Sequence, residues 1–320
     1  MSFVGGGSDL PAFYRKQKGA VLSTAIDKYV YVNVNKKFDN GIRIAYSKTE
    51  EVDSVELIEH RLVRAGMQLL ELDGGVEITT IADIPSKGTG LGSSSSFTVG
   101  LLNALNAFQG RYVSMDQLGR DSCRIEIDIC GEPIGKQDQY AAAYGGFNLI
   151  EFCPDESVVV SPLICDPNTI KSLEENTLLF YTGITRSASA ILKQQSDDIA
   201  NNEEKHRTLV RMVQLAYDMR DELQRNNVLA FGDILHENWM LKKSITSGIS
   251  TSFIDEWYDA ARRAGAIGGK ILGAGAGGFL MLYAPKERHE AIKASLPNLR
   301  LIPIGFDSLG SRIVFYQPTR

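Results

Sequence analysis

Short runs of β-branched and aromatic residues are frequent in the first quarter of the chain, and such runs predict strands. Apolar residues at helical spacing interrupt them once, over residues 55–72, and predict a helix there. The predicted strands cover residues 1–4, 21–26, 29–35, 42–47 and 76–84.

The next predicted elements are three helices, over residues 97–108, 114–129 and 137–143, and a strand over residues 147–152. Loop-like sequence with prolines at positions 154, 162 and 167 follows this strand. Because clustered prolines favour turns and linkers, we expect a domain boundary here. The two predicted domains are residues 1–165 and residues 166–320.

Strands and helices are also mixed in the second half of the chain. The pattern predicts strands over residues 177–181, 267–272, 278–283, 299–303 and 311–316, and helices over residues 188–227, 228–246, 253–264 and 286–295. The elements do not alternate strictly as βαβ units, so the sequence favours an α+β fold over a doubly wound sheet.

A glycine- and serine-rich stretch, residues 85–96, lies between a predicted strand and an almost uncharged predicted helix. Its glycines let backbone N–H groups approach a ligand, and the helix start that follows favours an anion, so the stretch predicts a phosphate-binding loop. A surface linker is the alternative, but a linker would be flanked by polar sequence. A Walker loop fits poorly, because Lys87 precedes the glycines. The protein-kinase loop also fits poorly, because Ser93 stands where it needs a glycine.

The composition is that of a globular protein, with 43% hydrophobic and 23% charged residues. A net charge of −5 and a pI near 5.5 argue against a nucleic-acid or anionic-membrane surface. No apolar run reaches membrane-spanning length, and the N-terminus lacks the pattern of a signal peptide. The four cysteines (Cys123, Cys130, Cys153 and Cys165) have neither C-x-x-C nor zinc-like spacing, so we expect reduced thiols and a cytoplasmic protein.

Two carboxylates stand out after the glycine–serine stretch. Asp138 lies between two glutamines at a predicted helix start, where it could cap the helix or act as a base for a substrate hydroxyl. Glu126 lies on the second helix after the stretch and could face solvent or bind Mg²⁺ beside nucleotide phosphates. The four histidines have no obvious partners, so histidine catalysis is disfavoured.

A second glycine cluster, residues 273–278, satisfies the dinucleotide fingerprint G-x-G-x-x-G. That fingerprint requires a following helix, whereas a strand-like run follows here, so the cluster is better interpreted as a tight loop that another loop or a nucleotide approaches. Arg186, in a turn between a strand and a helix, could clamp a phosphate or simply lie on the surface.

Three segments in this order resemble the motifs of the galactokinase, homoserine kinase, mevalonate kinase and phosphomevalonate kinase (GHMP) superfamily. They are residues 3–9, residues 85–94 and residues 273–278. Residues 5–11, 25–29, 131–140 and 182–187 are most similar to the D-glycero-D-manno-heptose 7-phosphate kinases. The resemblance implies a first domain like ribosomal protein S5 domain 2, a ferredoxin-like second domain, and a site between them.

The resemblance also implies residue roles. Asp138 matches the catalytic aspartate, Ser94 and Glu126 match the magnesium ligands, and Asp9 matches a ligand of a sugar hydroxyl. ATP is expected at Lys87, Gly88, Thr89, Gly90, Leu91, Gly92, Ser93, Ser94 and Ser95. The sugar is expected at Gly7, Ser8, Asp9, Lys136, Gly146, Arg186 and Gly275, with Arg186 on its distal phosphate.

The implied reaction is transfer of the ATP γ-phosphate to the anomeric hydroxyl of a heptose 7-phosphate, with Mg²⁺. The alternatives are a kinase of an unphosphorylated sugar (fucose, galactose or heptose) and a catalytically weak nucleotide- and sugar-binding protein. Family members usually carry a basic residue immediately before the strand that begins here at Met1. Because this sequence lacks that residue, a catalytically weak relative stays an alternative. Neither nucleic acid nor membrane is expected as a partner, and a homodimer stays open.

Overall fold

In a computed structural model that describes residues 1–84, 90–185 and 188–318, the chain forms three β-sheets with helices packed against them. Strands and helices follow one another without regular βαβ alternation, which confirms the expected α+β class. In this part of the chain the strands are β1 (Ser2–Val4), β2 (Gly19–Ile26), β3 (Val30–Lys36), β4 (Ile42–Ala45), β5 (Thr49–Val52), β6 (Val76–Ala82), β7 (Phe147–Phe152), β8 (Val158–Pro162), β9 (Thr177–Tyr181), β10 (Gly268–Ile271), β11 (Phe279–Tyr283), β12 (Arg300–Ile302) and β13 (Phe306–Asp307).

The helices pack on these sheets, and several have a side chain that caps the first turn, such as Ser114 before α4 and Thr251 before α10. They are α1 (Pro11–Tyr14), α2 (Arg61–Leu69), α3 (Ser93–Phe108), α4 (Met115–Cys123), α5 (Gln137–Tyr144), α6 (Pro167–Glu175), α7 (Ala188–Asn201), α8 (Glu203–Gln224), α9 (Leu229–Ile245), α10 (Ser252–Arg263) and α11 (His289–Ser295). A π-helical segment, Arg124–Ile129, continues α4, and 3₁₀ turns lie at Val55–Leu57 and Lys286–Arg288.

The first sheet has the strand order β1-β2-β7-β8, the second β3-β6-β4-β5 and the third β10-β11-β9-β12. β13 also pairs with β2, through Phe306 opposite Ile26, so the C-terminal segment returns to the first sheet. The boundary at residues 165 and 166 stays a prediction.

A continuous apolar core joins the two halves of the chain. Phe3 and Leu22 of the first sheet belong to the same buried cluster as Trp239 on α9 and Leu280 on β11. The Phe3 ring lies 5.1 Å from the Phe231 ring in an edge-on arrangement. Because β1 runs into the glycines at 5–7, this packing places that loop against the second half of the chain.

The pattern-based prediction differs from the structure at several places: it misses α1, β5 and β13, and it gives one helix over residues 188–227 where the structure has α7 and α8. Residues 311–316 were expected to form a strand, but they have no strand partner among the described residues. Residues 158–162 were assigned to loop, yet they form β8 at the edge of the first sheet, where Pro162 is tolerated. Helix α6 was missed, although Asp166 caps it and Pro167 starts it, because the prolines suggested linker.

Candidate active site

The predicted phosphate-binding loop, residues 85–96, is described from Gly90 onward, and Lys87, Gly88 and Thr89 lie outside the described residues. Gly92 adopts φ +69° immediately before α3 begins at Ser93, so the first N–H groups of α3 point out of the helix end. Gly90 adopts φ +74°, and a Cβ there would lie 2.8 Å from the carbonyl carbon of Leu272. The loop therefore touches the start of the second glycine cluster, as the interpretation of that cluster as a tight loop anticipated.

Glu126 lies at the centre of a hydrogen-bonded cluster behind this helix start. Ser94 Oγ donates to Glu126 Oε1 over 2.7 Å, Ser95 Oγ donates to Oε2 over 2.8 Å, and Gln139 Nε2 donates to Oε2 over 2.6 Å. The Glu126 side chain is fully buried, and burial raises its pKa although the three donors oppose the shift. The wider π-helical turn that carries Glu126 is of a kind often found at functional sites.

The Glu126 cluster fits a magnesium site. Mg²⁺ is usually held by one or two carboxylates together with phosphate oxygens and water, and Ser94 and Glu126 lie where α3 presents its N–H groups. The buried Oε1 of Gln139 has no hydrogen-bond partner among the described residues, so an acceptor is left for a cation or its water. Among the described residues, there is no group of three or more His, Cys, Asp or Glu side chains that could hold a metal ion without other ligands.

Asp138 lies in the first turn of α5, against the phosphate-binding loop. A Cβ on Gly92 would lie 3.2 Å from the Asp138 carboxyl carbon, so the glycine lets the carboxyl group approach the loop closely without having to shift. Burial raises the pKa of Asp138 to about 6, and the carboxylates of Asp9 and Glu126 act in the same direction. The amino group of Met1 and the Lys270 ammonium act in the opposite direction. A carboxyl group with a pKa near 6 is suited to accept a proton at neutral pH.

Asp9 lies beside Asp138 through the start of α5. Its Oδ1 accepts a hydrogen bond of 3.0 Å from Gly7 N, and its Oδ2 accepts one of 3.3 Å from Gln137 N. Burial raises the Asp9 pKa, and these two backbone donors oppose the shift. A Cβ on Gly135 would overlap the Asp9 carboxylate, so a glycine there makes room for it. The structure thus brings together Asp9, Asp138, Glu126 and the phosphate-binding loop.

Comparison with known proteins agrees with this geometry. Residues 56–146 match the profile "GHMP kinases N terminal domain", and residues 219–299 match "GHMP kinases C terminal". The chain is 30% identical over 310 residues to D-glycero-alpha-D-manno-heptose 7-phosphate kinase of Campylobacter jejuni, with 92% of this chain and 90% of that protein covered. The chain belongs to the GHMP kinase family.

Two further relatives extend the comparison of this GHMP kinase. The crystal structure of a D-glycero-D-manno-heptose 1-phosphate kinase from Bacteroides thetaiotaomicron superposes with a TM-score of 0.79 at 28% identity, covering 97% of this chain and 94% of that one. The L-fucokinase/L-fucose-1-P guanylyltransferase of Bacteroides fragilis is 30% identical over 231 residues, covering 71% of this chain and 24% of that protein. As a member of the family, the chain is a phosphotransferase with a hydroxyl group as acceptor.

The remaining residues expected at the sugar site of this GHMP kinase make other contacts. Ser8 Oγ is engaged by the backbone N and O of Ala20 at 3.0 and 3.1 Å. Lys136 Nζ donates to Glu156 Oε2 over 2.5 Å. Gly146 N donates to the carbonyl of Asp307 over 3.1 Å, and Gly275 packs on Ile249. Arg186 lies outside the described residues, and all these sugar-site assignments stay predictions.

Sequence reasoning missed two buried lysines of the kinase, both from the second half of the chain. Lys242 Nζ donates to Gly6 O over 3.0 Å and to Gln195 Oε1 over 3.1 Å. Lys270 Nζ donates to Ser2 O over 3.0 Å. The sequence does contain an indication that Lys242 is buried, because this lysine falls on the apolar face of α9, three residues after the buried Trp239.

A cavity of about 1150 Å³ extends from Asp138 along α3 and β3 of this GHMP kinase. Leu91, Gly92 and Asp138 line one end of it, and the C-terminal segment from Asp307 lines another wall. Its volume is somewhat above the range of about 300–1,000 Å³ that is typical of small-molecule sites. In the described parts of the chain, no helix is long and apolar enough to cross a membrane.

Proposed function

We propose that this GHMP kinase transfers the γ-phosphate of ATP to the anomeric hydroxyl of a heptose 7-phosphate. The observation that carries the proposal is the approach of Asp138 to Gly92, which puts a carboxyl group with a pKa of about 6 beside the phosphate-binding loop. The 30% identity with the Campylobacter jejuni heptose 7-phosphate kinase, over 92% of the chain, supports the choice of sugar.

In this proposal Asp138 accepts the proton of the sugar hydroxyl while the hydroxyl oxygen takes the phosphoryl group and ADP leaves. Phosphoryl transfer depends mostly on positioning and on neutralising charge, and the N–H groups at the start of α3 would hold the triphosphate. Ser94 and Glu126 would hold Mg²⁺, which neutralises phosphate oxygens when bound. A positioned base of this kind contributes about 10²–10⁴-fold to the rate.

Asp9 is proposed to bind a hydroxyl of the sugar. Two backbone N–H groups fix its carboxylate, and it lies next to Asp138 through Gln137, so it would orient the sugar toward the base. Arg186 is proposed to bind the distal phosphate, on the basis of the sequence resemblance alone. Gly7, Ser8, Lys136, Gly146 and Gly275 complete the proposed sugar site on the same basis.

The testing experiment is ADP release coupled to NADH oxidation, with heptose 7-phosphate, heptose, mannose, galactose and fucose as acceptors. The proposal expects heptose 7-phosphate to have the highest kcat/KM. A higher kcat/KM with fucose or free heptose would instead support a kinase of an unphosphorylated sugar, which the 30% identity with a fucokinase over 231 residues favours as the second candidate. No sugar-dependent ADP release at all would contradict both.

A further inference from the structure

A short segment after β13, residues 309–311, crosses the C-terminal end of α5, and we call it the C-terminal strap. β13 pairs with β2 of the first sheet, whereas β12 before it belongs to the third sheet, so the strap comes from the second half of the chain. The Asp307 carboxylate fixes the place where the strap starts. Its Oδ2 accepts a hydrogen bond of 2.8 Å from Tyr29 OH, and its Oδ1 accepts one of 3.0 Å from Leu309 N.

Two glycines allow the strap to touch the backbone of α5. Gly145, the residue that ends α5, has a φ of +62°, and a Cβ there would lie 2.0 Å from the carbonyl carbon of Leu309. A Cβ on Gly310 would lie 2.1 Å from the carbonyl oxygen of Ala143. Atoms that are not bonded do not approach this closely, so a Cβ at either position would force the strap and α5 apart by about 1 Å.

Ser311, the last residue of the strap, forms hydrogen bonds with two helices. Its backbone N–H donates to the carbonyl of Ala142 over 3.0 Å. This carbonyl belongs to the last turn of α5, where carbonyl groups have no donor within the helix. Ser311 Oγ accepts a partly buried hydrogen bond of 3.0 Å from Asn103 Nδ2 on α3. Ser311 therefore bridges α3 and α5.

The two bridged helices carry the two parts of the candidate active site that have to meet. α3 begins immediately after Gly92 of the phosphate-binding loop, and Asp138 lies in the first turn of α5. Because α5 has only eight residues, Ala142 lies just one turn, about 6 Å, beyond Asp138 along the helix. A helix this short moves as one body, so the approach of Asp138 to Gly92 depends on how the end of α5 is held against α3.

We propose that Ser311 is a positioning residue for phosphoryl transfer, which holds α5 against α3 and so keeps the Asp138 carboxyl group beside the phosphate-binding loop. The inference rests on the proposed function, because it gives Asp138 the role of the base. Gly310 acts with Ser311, since it lets the strap lie close enough to α5 for the Ser311 N–H to reach Ala142. Positioning of this kind matters to the rate, because a displacement of about 1 Å can cost about 10²-fold.

The first test removes the hydrogen bond between Ser311 and α3. In Ser311→Ala and in Asn103→Ala, kcat with ATP and the best sugar of the panel should fall by about 3–10-fold. The double variant should be no slower than the single variants, because the two side chains act through one bond. KM for ATP and for the sugar should stay within about two-fold of the wild type. Ser308→Ala is the matched control and should keep the wild-type kcat, because Ser308 is exposed and its hydroxyl has no hydrogen-bond partner among the described residues.

The second test separates the strap from α5. Gly310→Ala should lower kcat by about 10–100-fold, because its Cβ displaces the backbone of the strap or of α5. Gly305→Ala is the matched control, since it lies in the same part of the chain and also lacks a positive φ. The nearest atoms that its Cβ would meet belong to the side chains of Asp27 and Glu174, which can move aside. This control should keep the kcat of the wild type.

Hydrogen exchange at the backbone amides of α5 gives a readout that needs no activity. Exchange there should be about two- to ten-fold faster in Gly310→Ala and Ser311→Ala than in the wild type, and unchanged in Gly305→Ala and Ser308→Ala. Faster exchange together with normal turnover would give the strap a purely structural role and overturn the inference. If Gly310→Ala does not fold, Ser311→Ala and Asn103→Ala decide, because each lacks only one hydrogen bond.

Three other results are also decisive. An unchanged kcat in both Ser311→Ala and Asn103→Ala would overturn the inference. A higher KM with an unchanged kcat would also overturn it, because it would mean that Ser311 contacts a ligand in the cavity that it lines. A wild-type enzyme without sugar-dependent ADP release would instead contradict the proposed function, and exchange at α5 would still show whether the strap holds that helix.

Discussion

Replacing Asp138 by asparagine should remove activity and stabilise the protein at the same time. The asparagine side chain has nearly the same shape as aspartate but cannot accept the hydroxyl proton, so kcat should fall by about 10²–10⁴-fold. The folded protein, by contrast, no longer has to hold a carboxylate in a site where burial and two neighbouring carboxylates disfavour the charge. Such opposition between stability and activity is expected where a residue is kept for chemistry.

The size of the stabilisation follows from the Asp138 pKa. Folding raises this pKa from 3.8 to about 6. A shift of about two units corresponds to about 3 kcal/mol, and screening of the partly exposed side chain reduces this to about 1–3 kcal/mol. The ionised carboxylate also gains about 0.5 kcal/mol from the N-terminus of α5, which is too little to reverse the sign.

The direction of the Asp138 pKa shift also determines the pH range in which the asparagine variant is more stable than the wild type. Because the folded state binds the Asp138 proton more tightly than the unfolded state, ionisation favours the unfolded state as pH rises. Below about pH 4 both states are protonated, so the asparagine variant and the wild type should be equally stable. The advantage of the variant should develop between about pH 4 and 6 and stay constant above that range.

Thermal unfolding at several pH values provides the assay. For a chain of 320 residues that unfolds as one unit, 1–3 kcal/mol corresponds to a rise in Tm of about 1.5–4.5 °C at pH 8. Asp155→Asn is the control, because the hydroxyl and backbone N–H of Ser157 lower the pKa of this exposed carboxylate, so its replacement should not stabilise. A wild type as stable as the Asp138 variant at pH 8, or normal turnover in that variant, would refute the reasoning.

Three further substitutions test the rest of the site. Glu126→Gln should raise the Mg²⁺ concentration needed for half-maximal turnover by about ten-fold or more, whereas Asp128→Asn, exposed on the same π-helical segment, should not; equal Mg²⁺ dependence would remove Glu126 from the metal site. Gly90 and Gly110 have nearly the same φ, +74° and +71°, so an alanine at either position should cost the same backbone strain of about 1–2 kcal/mol. Of the two, only a Cβ at position 90 would meet Leu272. Turnover measured beside Tm should therefore fall only in Gly90→Ala, and a similar fall in both would show that the contact between the loops is unimportant. Arg186→Ala should raise KM for heptose 7-phosphate by about 10–100-fold and leave KM for free heptose nearly unchanged; an equal loss on both sugars would show that Arg186 does not bind the phosphate.

Local pattern predicted the elements that are buried on both sides or strongly periodic. Strands β7 and β9 have the predicted bounds, since apolar residues in an interior strand form a clear run between turns. The predicted strand over residues 311–316 failed for the opposite reason. Its apolar residues Val314 and Phe315 are exposed and pair with no strand in the described chain, and β-propensity alone does not create a partner strand.

The candidate site was predictable where chemistry requires a backbone shape, and not where it requires burial. The glycines at 90 and 92 were identified because a phosphate-binding loop needs N–H groups without Cβ atoms beside them. Glu126 and Asp138 were candidates from their positions in the sequence, and their roles come from the family resemblance. The contact of Gly90 with Leu272 depends on how two segments about 180 residues apart pack, which no local pattern contains.

Lys270 shows most clearly why the rest of the site needed the structure. In the sequence it is a lysine before a glycine cluster, and a lysine is normally expected at the surface. Its burial follows from β10 pairing with β11 inside the third sheet while β1 covers the Lys270 side chain from the first half of the chain. The same packing that joins the two halves therefore brings the Lys270 ammonium group to Ser2 of β1. A substitution that loosens this interface should lower turnover as well as stability, because β1 carries Ser2, the partner of Lys270, and also runs into the glycine loop that leads to Asp9.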